Sequence, residues 1–255
     1  MGRVLAITNQ KGGVGKTTTS INLAATLPKT RRRVMLIDID PQGNATMGSG
    51  INKENVVGST YGVLLGEQTI EAARVTTEAG YDLVPANGSL SGAEVELVEI
   101  EGREHRLRNA LDAVRDQYDF ILIDCPPALN LLTVNALVAA QSVMIPMQCE
   151  YYALEGLTAL LNTIRKIRET LNPQLQIEGL LRTMYDPRNN LDNEVSAQLQ
   201  QHFGDKLYRT IIPRNVRLAE APSYGKPVVT YDLQSKGAQA YLALAGEMLK
   251  RGEAA

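Results

Sequence analysis

Cysteine is scarce in this chain: Cys125 and Cys149 are the only two, and no CxxC pair exists. A disulfide framework is therefore excluded, a reducing cytoplasm is expected, and both thiols sit in or beside apolar runs as buried structural residues do. Histidine is equally thin, with His105 and His202 isolated from plausible metal-ligand neighbours. No apolar stretch approaches the roughly 18 residues of a membrane span, and no signal-peptide core is present. The formal net charge is -2, so any nucleic-acid surface has to be a local patch. Repeats, low-complexity tracts and linkers are absent. What remains is 255 residues with 44% apolar and 21% charged content, the composition of one soluble α/β domain with a sizeable core.

The apolar pattern alternates strand and helix, which predicts a mostly parallel twisted sheet with helices on both faces. Strands are expected at Val4–Thr8, Val34–Asp40, Leu83–Pro85, Phe120–Asp124, Ser142–Met147, Ile177–Met184 and Tyr208–Ile212. Helices are expected at Ser20–Leu27, Glu94–Ile100, Arg106–Val114, Leu131–Ala140, Leu154–Leu171, Glu194–Phe203 and Ala238–Leu249. Between the second and third strands lies a Gly-, Ser- and Asn-rich stretch of weak signal.

Between the first strand and first helix stands Lys11–Thr18, reading KGGVGKTT. Gly12, Gly13 and Gly15 let the backbone curl around Val14 so that consecutive N–H groups converge on an anion. The N-terminus of the helix that follows adds partial positive charge. In this phosphate loop Lys16 reaches the β- and γ-phosphates and the Thr17 hydroxyl sits on Mg²⁺. The strict G-x-x-x-x-G-K-[ST] pattern fails at its first position, where Gln10 stands, and the loop carries an extra lysine, Lys11. That resembles the deviant Walker A pattern, whose extra lysine reaches a nucleotide bound by a partner subunit.

Acids end the other buried strands. Asp124 closes the run FILI ahead of Cys125-Pro126-Pro127, where a carboxylate holds Mg²⁺ directly or through water. The two prolines stiffen a turn placed to sense nucleotide. Asp38 and Asp40, two apart, point to one side of an extended chain. Either could orient an attacking water, and the spacing does not choose between them.

Taken together, KGGVGKTTT, DIDPQGNAT, LIDCPP, EYYALEG and IPRNVRLAEAPSYGKP resemble the ParA/Soj family of partition ATPases, from Arg3 to about Leu249. The resemblance implies a single deviant Walker A ATPase domain over 1–255. It implies binding of ATP and Mg²⁺, closure into a nucleotide-sandwich homodimer, sequence-independent binding of double-stranded DNA, and hydrolysis stimulated by a ParB-like centromere-binding partner. Such a protein is cytoplasmic and nucleoid-associated, and segregates a chromosome or plasmid. Residue by residue, Lys11 becomes the lysine that crosses the dimer. Lys16 becomes the phosphate lysine, with Gly12, Gly13, Val14, Gly15, Thr17 and Thr18 around the phosphates. Thr17 and Asp124 hold Mg²⁺, and Asp40 places the catalytic water. Pro213 and Asn215 lie near the adenine, and Arg188, Arg214 and Arg217 match the region of DNA-contacting arginines. The first strand starts just after Gly2, which leaves no room for the N-terminal helix-turn-helix of larger relatives.

The span from Arg182 to Lys236 holds eight basic and six acidic residues, an ordinary solvated surface unless dimerisation doubles it. Three other readings are weighed. A membrane-associated positioning ATPase resembling MinD needs a cationic amphipathic tail, whereas the segment from Tyr241 carries basic residues only at Lys250 and Arg251, which suits packing on the sheet. A redox ATPase resembling the nitrogenase iron protein needs glycine-flanked cluster cysteines, unlike Cys125. A ParA-like positioner of a protein cargo shares every motif above.

Overall fold

The computed structural model describes residues 2–151 and 153–253; Tyr152, within the EYYALEG run, lies outside the described residues. The strands are β1 (Arg3–Ile7), β2 (Val34–Asp38), β3 (Val75–Thr76), β4 (Asp82–Val84), β5 (Phe120–Asp124), β6 (Ser142–Met147), β7 (Gln176–Tyr185) and β8 (Leu207–Pro213). They form one sheet in the order β3-β4-β2-β5-β1-β6-β7-β8. Every pairing is parallel except the antiparallel edge pair β3–β4. The helices are α1 (Lys16–Thr26), α2 (Asn44–Gly48), α3 (Thr60–Leu65), α4 (Ile70–Ala73), α5 (Leu90–Glu96), α6 (Arg106–Leu111), α7 (Leu131–Ala139), α8 (Ala153–Thr170), α9 (Asn190–Phe203), α10 (Val216–Glu220), α11 (Val228–Tyr231) and α12 (Lys236–Glu253).

The sheet is covered on both faces because its central strands, apart from the end residues Arg3, Asp38, Asp124 and Ser142, are continuous apolar runs. Successive side chains of a strand point to opposite faces. Val4, Ala6, Met35, Ile37, Ile121 and Ile123 accordingly join one core, under α3 and α5–α9. Leu5, Ile7, Val34, Leu36, Phe120 and Leu122 join the other, under α1, α2, α11 and α12. The strand and helix alternation and the mostly parallel sheet are as the sequence predicts. In α12, Ala238, Tyr241, Leu244, Ala245 and Met248 are buried in that second core, and Tyr241 Oη lies 3.1 Å from Thr19 Oγ1 of α1. Its apolar face is thus committed to packing. Among the described residues no helix is long and apolar enough to cross a membrane.

Several boundaries move. α1 starts at Lys16 rather than Ser20 because the phosphate loop itself opens the helix, with Gly15 at φ 86° as its N-cap. β2 stops at Asp38, since the chain turns at Asp40, whose carbonyl accepts from Gly43 N at 2.9 Å. α5 begins at Leu90 and α9 at Asn190, the latter capped by Asn189, whose side chain accepts from Leu191 N. The weak stretch after β2 holds α2, α3, α4 and β3. Cys125 and Cys149 are both buried and free, and burial pushes the Cys149 thiol up to about 11.

Candidate nucleotide site

Parallel strands bring β1, β2, β5, β6 and β7 to one edge of the sheet, where an open α/β fold binds its ligand beyond the strand C-termini. There a cleft of about 640 Å³ is lined by Gly12, Gly13, Gly15, Lys16, Thr17 and Thr18 from one side, and by Asp40, Gln42, Asn44 and Met47 from the other. Gly13 and Gly15 adopt φ of 74° and 86°, a left-handed backbone that glycine enters without strain. The first turn of α1 carries no acid of its own. Thr183 on β7 braces the loop from behind, its Oγ1 donating to the Val14 carbonyl at 2.8 Å. Gly48 lets α2 close on α1: a Cβ there would stand 2.5 Å from Ile21 Cδ1.

Lys16 is buried, 6% exposed, and its Nζ donates to the Lys11 carbonyl at 3.0 Å. Burial lowers its pKa, while Asp124 and Asp40 favour its charge. Asp124 lies fully buried behind the loop. Its two carboxylate oxygens accept from Thr17 Oγ1 and Ser20 Oγ, both at 2.8 Å. Burial, with Asp38 nearby, raises its pKa to about 8.

The structure separates Asp38 and Asp40. Asp38 is wholly buried and accepts from Thr46 N (2.8 Å), Thr46 Oγ1 (2.7 Å) and Asp40 N (3.2 Å). It ties the end of β2 to α2, and burial raises its pKa to about 6. Asp40 lines the cleft, with Oδ1 accepting from Gln42 N at 2.9 Å; among the described residues its Oδ2 accepts no hydrogen bond.

Lys11 stands apart from Lys16. It is not among the residues lining the cleft, its side chain is 44% exposed, and its Nζ is paired with Glu150. Its backbone is held by Asn9, which accepts from Lys11 N at 3.0 Å and donates to the Pro146 carbonyl at 2.8 Å.

Pro213 ends β8, and Asn215 caps α10 by accepting from Arg217 N at 3.1 Å. Neither lines the cleft. Pro222 and Ser223, beyond the far end of α10, do so, together with Met184 and Pro127. Arg188 is 88% exposed and bonded to Asp186 at 2.7 Å, and Arg214 also acts on Asp186. Arg217 pairs with Glu220 at 2.8 Å and Asp232 at 3.3 Å. Arg182 is no part of this surface: it is buried, with its guanidinium donating to Ser196 Oγ and the Tyr208 carbonyl.

Thr17 and Asp124 offer hard oxygen donors, as Mg²⁺ requires, and a divalent cation would relieve the buried carboxylates around Lys16. Among the described residues no group of three or more His, Cys, Asp or Glu side chains could hold a metal.

Several site residues escape sequence reasoning. Ser20 lies three positions beyond Thr17 on one helix face, and that spacing is readable. Met184, held at φ 51°, and Thr183 belong to the other half of the chain and give no local signal.

A glycine loop opening a helix at the edge of a parallel sheet, backed by a buried strand-end aspartate, defines the phosphate-loop class of α/β proteins. A family profile described as an AAA domain matches residues 2–177. The sporulation initiation inhibitor protein Soj of Bacillus subtilis is 55% identical over 99% of this chain and 100% of that protein. The chromosome partitioning protein ParA of Caulobacter vibrioides is 54% identical over 98% and 94%. Among solved structures, cobyrinic acid a,c-diamide synthase of Mycobacterium smegmatis with bound ADP and magnesium superposes with a TM-score of 0.87 at 38% identity, covering 99% of this chain and 96% of that one. The chain belongs to the ParA/Soj family.

Proposed function

We propose that this chain is a partition ATPase that binds ATP with Mg²⁺, closes on a second copy of itself, and in that form holds double-stranded DNA without regard to sequence. Lys16 and the loop N–H groups bind the phosphates. Thr17 and Asp124 are the residues that would hold Mg²⁺, which neutralises charge on the phosphates. Asp40, on the opposite wall of the cleft, positions the attacking water. Phosphoryl transfer asks mainly for such placement and charge. Arg188, Arg214 and Arg217 meet DNA phosphates, and a ParB-like partner stimulates hydrolysis and so releases the dimer. The protein then acts in the cytoplasm, on the nucleoid.

The observation that carries this reading is the division between two lysines of one loop. Lys16 is buried in the cleft, whereas Lys11 is outside its lining with a half-exposed side chain. A cation so placed, held among the described residues only by the exposed Glu150, can turn to a nucleotide on another subunit. Sedimentation with ATP and Mg²⁺ tests it: the wild type should run as a dimer and Lys11→Ala as a monomer, with ADP leaving both monomeric. A Lys11→Ala chain that dimerises as well as the wild type overturns the reading.

A further inference from the structure

A second cleft, of about 790 Å³, opens at the opposite edge of the sheet, where β1 begins at Arg3 and β6 begins at Ser142. The five residues of β1, roughly 17 Å of extended chain, separate the two edges. Five basic residues from separate elements converge on this cleft: Arg3 of β1, Arg108 of α6, Arg115 beyond it, Lys206 just before β8, and Arg251 of α12. Among the described residues only Glu178 and Asp205 oppose them in the lining. A chain with a net charge of -2 thus concentrates positive charge in one concave place.

Three of these cations are partly committed. Arg3 pairs with Glu178, Arg115 Nε donates to the Gly2 carbonyl at 3.2 Å, and Arg251 pairs with Glu247 and donates to the Asp205 and Leu207 carbonyls, all at 2.8 Å. Arg108 and Lys206 are exposed, and among the described residues neither has an ion-pair partner. A second observation is independent of charge: Ser142, 6% exposed and part of the cleft lining, has a buried hydroxyl with no hydrogen-bond partner among the described residues. Buried polar groups are seldom left unpaired without a reason.

We propose that this cleft binds a small phosphorylated anion of several negative charges, of the nucleotide or pyrophosphate class, at a site separate from the phosphate loop. The volume is that of a small-ligand pocket, and guanidinium groups on several sides suit phosphate oxygens. A B-form duplex presents a broad convex backbone, which a flat stripe of cations would fit better than a recess. The inference stands apart from the proposed ATPase activity and holds whether or not that reading does.

The test is isothermal titration of inorganic pyrophosphate into the full chain carrying Lys16→Ala, whose phosphate loop has lost its buried cation. Saturable binding should persist there and weaken roughly tenfold or more when Arg108→Glu and Lys206→Glu are added. Arg108→Gln with Lys206→Gln, milder at these exposed positions, should weaken it in the same direction if the double reversal folds poorly. No saturable binding to Lys16→Ala, or equal binding in all variants, overturns the proposal. Displacement of pyrophosphate by a short DNA duplex overturns it too, since the cleft would then be a DNA track.

Discussion

Replacing each loop lysine by alanine should give two different proteins, because the two charges sit in different surroundings. Lys16 is buried against Asp124 and Asp40. In the free chain its removal deletes both an attraction and a desolvation cost, so stability should change little. With a triphosphate in the cleft, the same change deletes a charge-assisted contact in a desolvated site, on the order of 3 kcal/mol, or roughly a hundredfold in Kd. Lys11 and Glu150 form an exposed pair, with side chains 44% and 48% exposed. Such pairs contribute about 0–1 kcal/mol. Lys11→Ala should therefore lower Tm by no more than about 3 °C. It should also leave the ATP affinity of a single subunit within about threefold, as its ammonium lies outside the cleft lining. The assay is titration with a fluorescent ATP analogue and Mg²⁺ at protein concentrations too low for dimerisation, beside thermal melts. The reasoning is refuted if Lys16→Ala binds within threefold of the wild type, or if Lys11→Ala loses a hundredfold in subunit affinity.

Further outcomes follow from the same geometry. Asp40→Ala should keep ATP and DNA binding but hydrolyse very slowly, seen as a long-lived dimer in sedimentation; fast turnover refutes its assignment. The raised pKa of Asp38 means that its favourable contribution to folding is complete below the ordinary carboxyl value of 3.8 and is lost as pH rises through about 6. Melting curves of the nucleotide-free wild type should therefore show a downward component between about pH 4 and 6, which Asp38→Asn removes; an unchanged slope in that variant contradicts it. If four to six arginines of a dimer engage DNA, log K against log[salt] should fall with a slope of about -4 to -5, and a flat dependence contradicts the arginine surface. Since Arg188 and Arg217 are already paired with Asp186, Glu220 and Asp232, Asp232→Asn should tighten DNA binding modestly by removing a competitor for Arg217.

Much of the framework was legible because buried parallel strands are continuous apolar runs, and VMLID, FILID and SVMIPM carry that signal without tertiary help. The phosphate loop was legible because its chemistry is local in sequence. The region 44–76 was not: α2, α3 and α4 have only four to six residues each, too short for a helical period to show. Asp38 and Asp40 illustrate the other limit. Alternation puts both on one side, but the turn at Asp40 ends the strand, and Thr46 of α2 captures Asp38 for the fold, leaving Asp40 in the cleft. The segment after β8 was marked by its resemblance, yet the pattern could not say that α10 carries Pro222 and Ser223, rather than Pro213 and Asn215, to the cleft wall. Nor could it show that Arg182 turns inward, held by α9 and β8.

The central claim is that nucleotide state governs DNA binding through a dimer. Its most direct test is binding of the wild type to a duplex of arbitrary sequence with ATP, ADP or no nucleotide, in Mg²⁺ at fixed salt. The account predicts cooperative binding with ATP alone, abolished by Lys11→Ala and retained by Asp40→Ala. Equal binding in all three nucleotide states would contradict it.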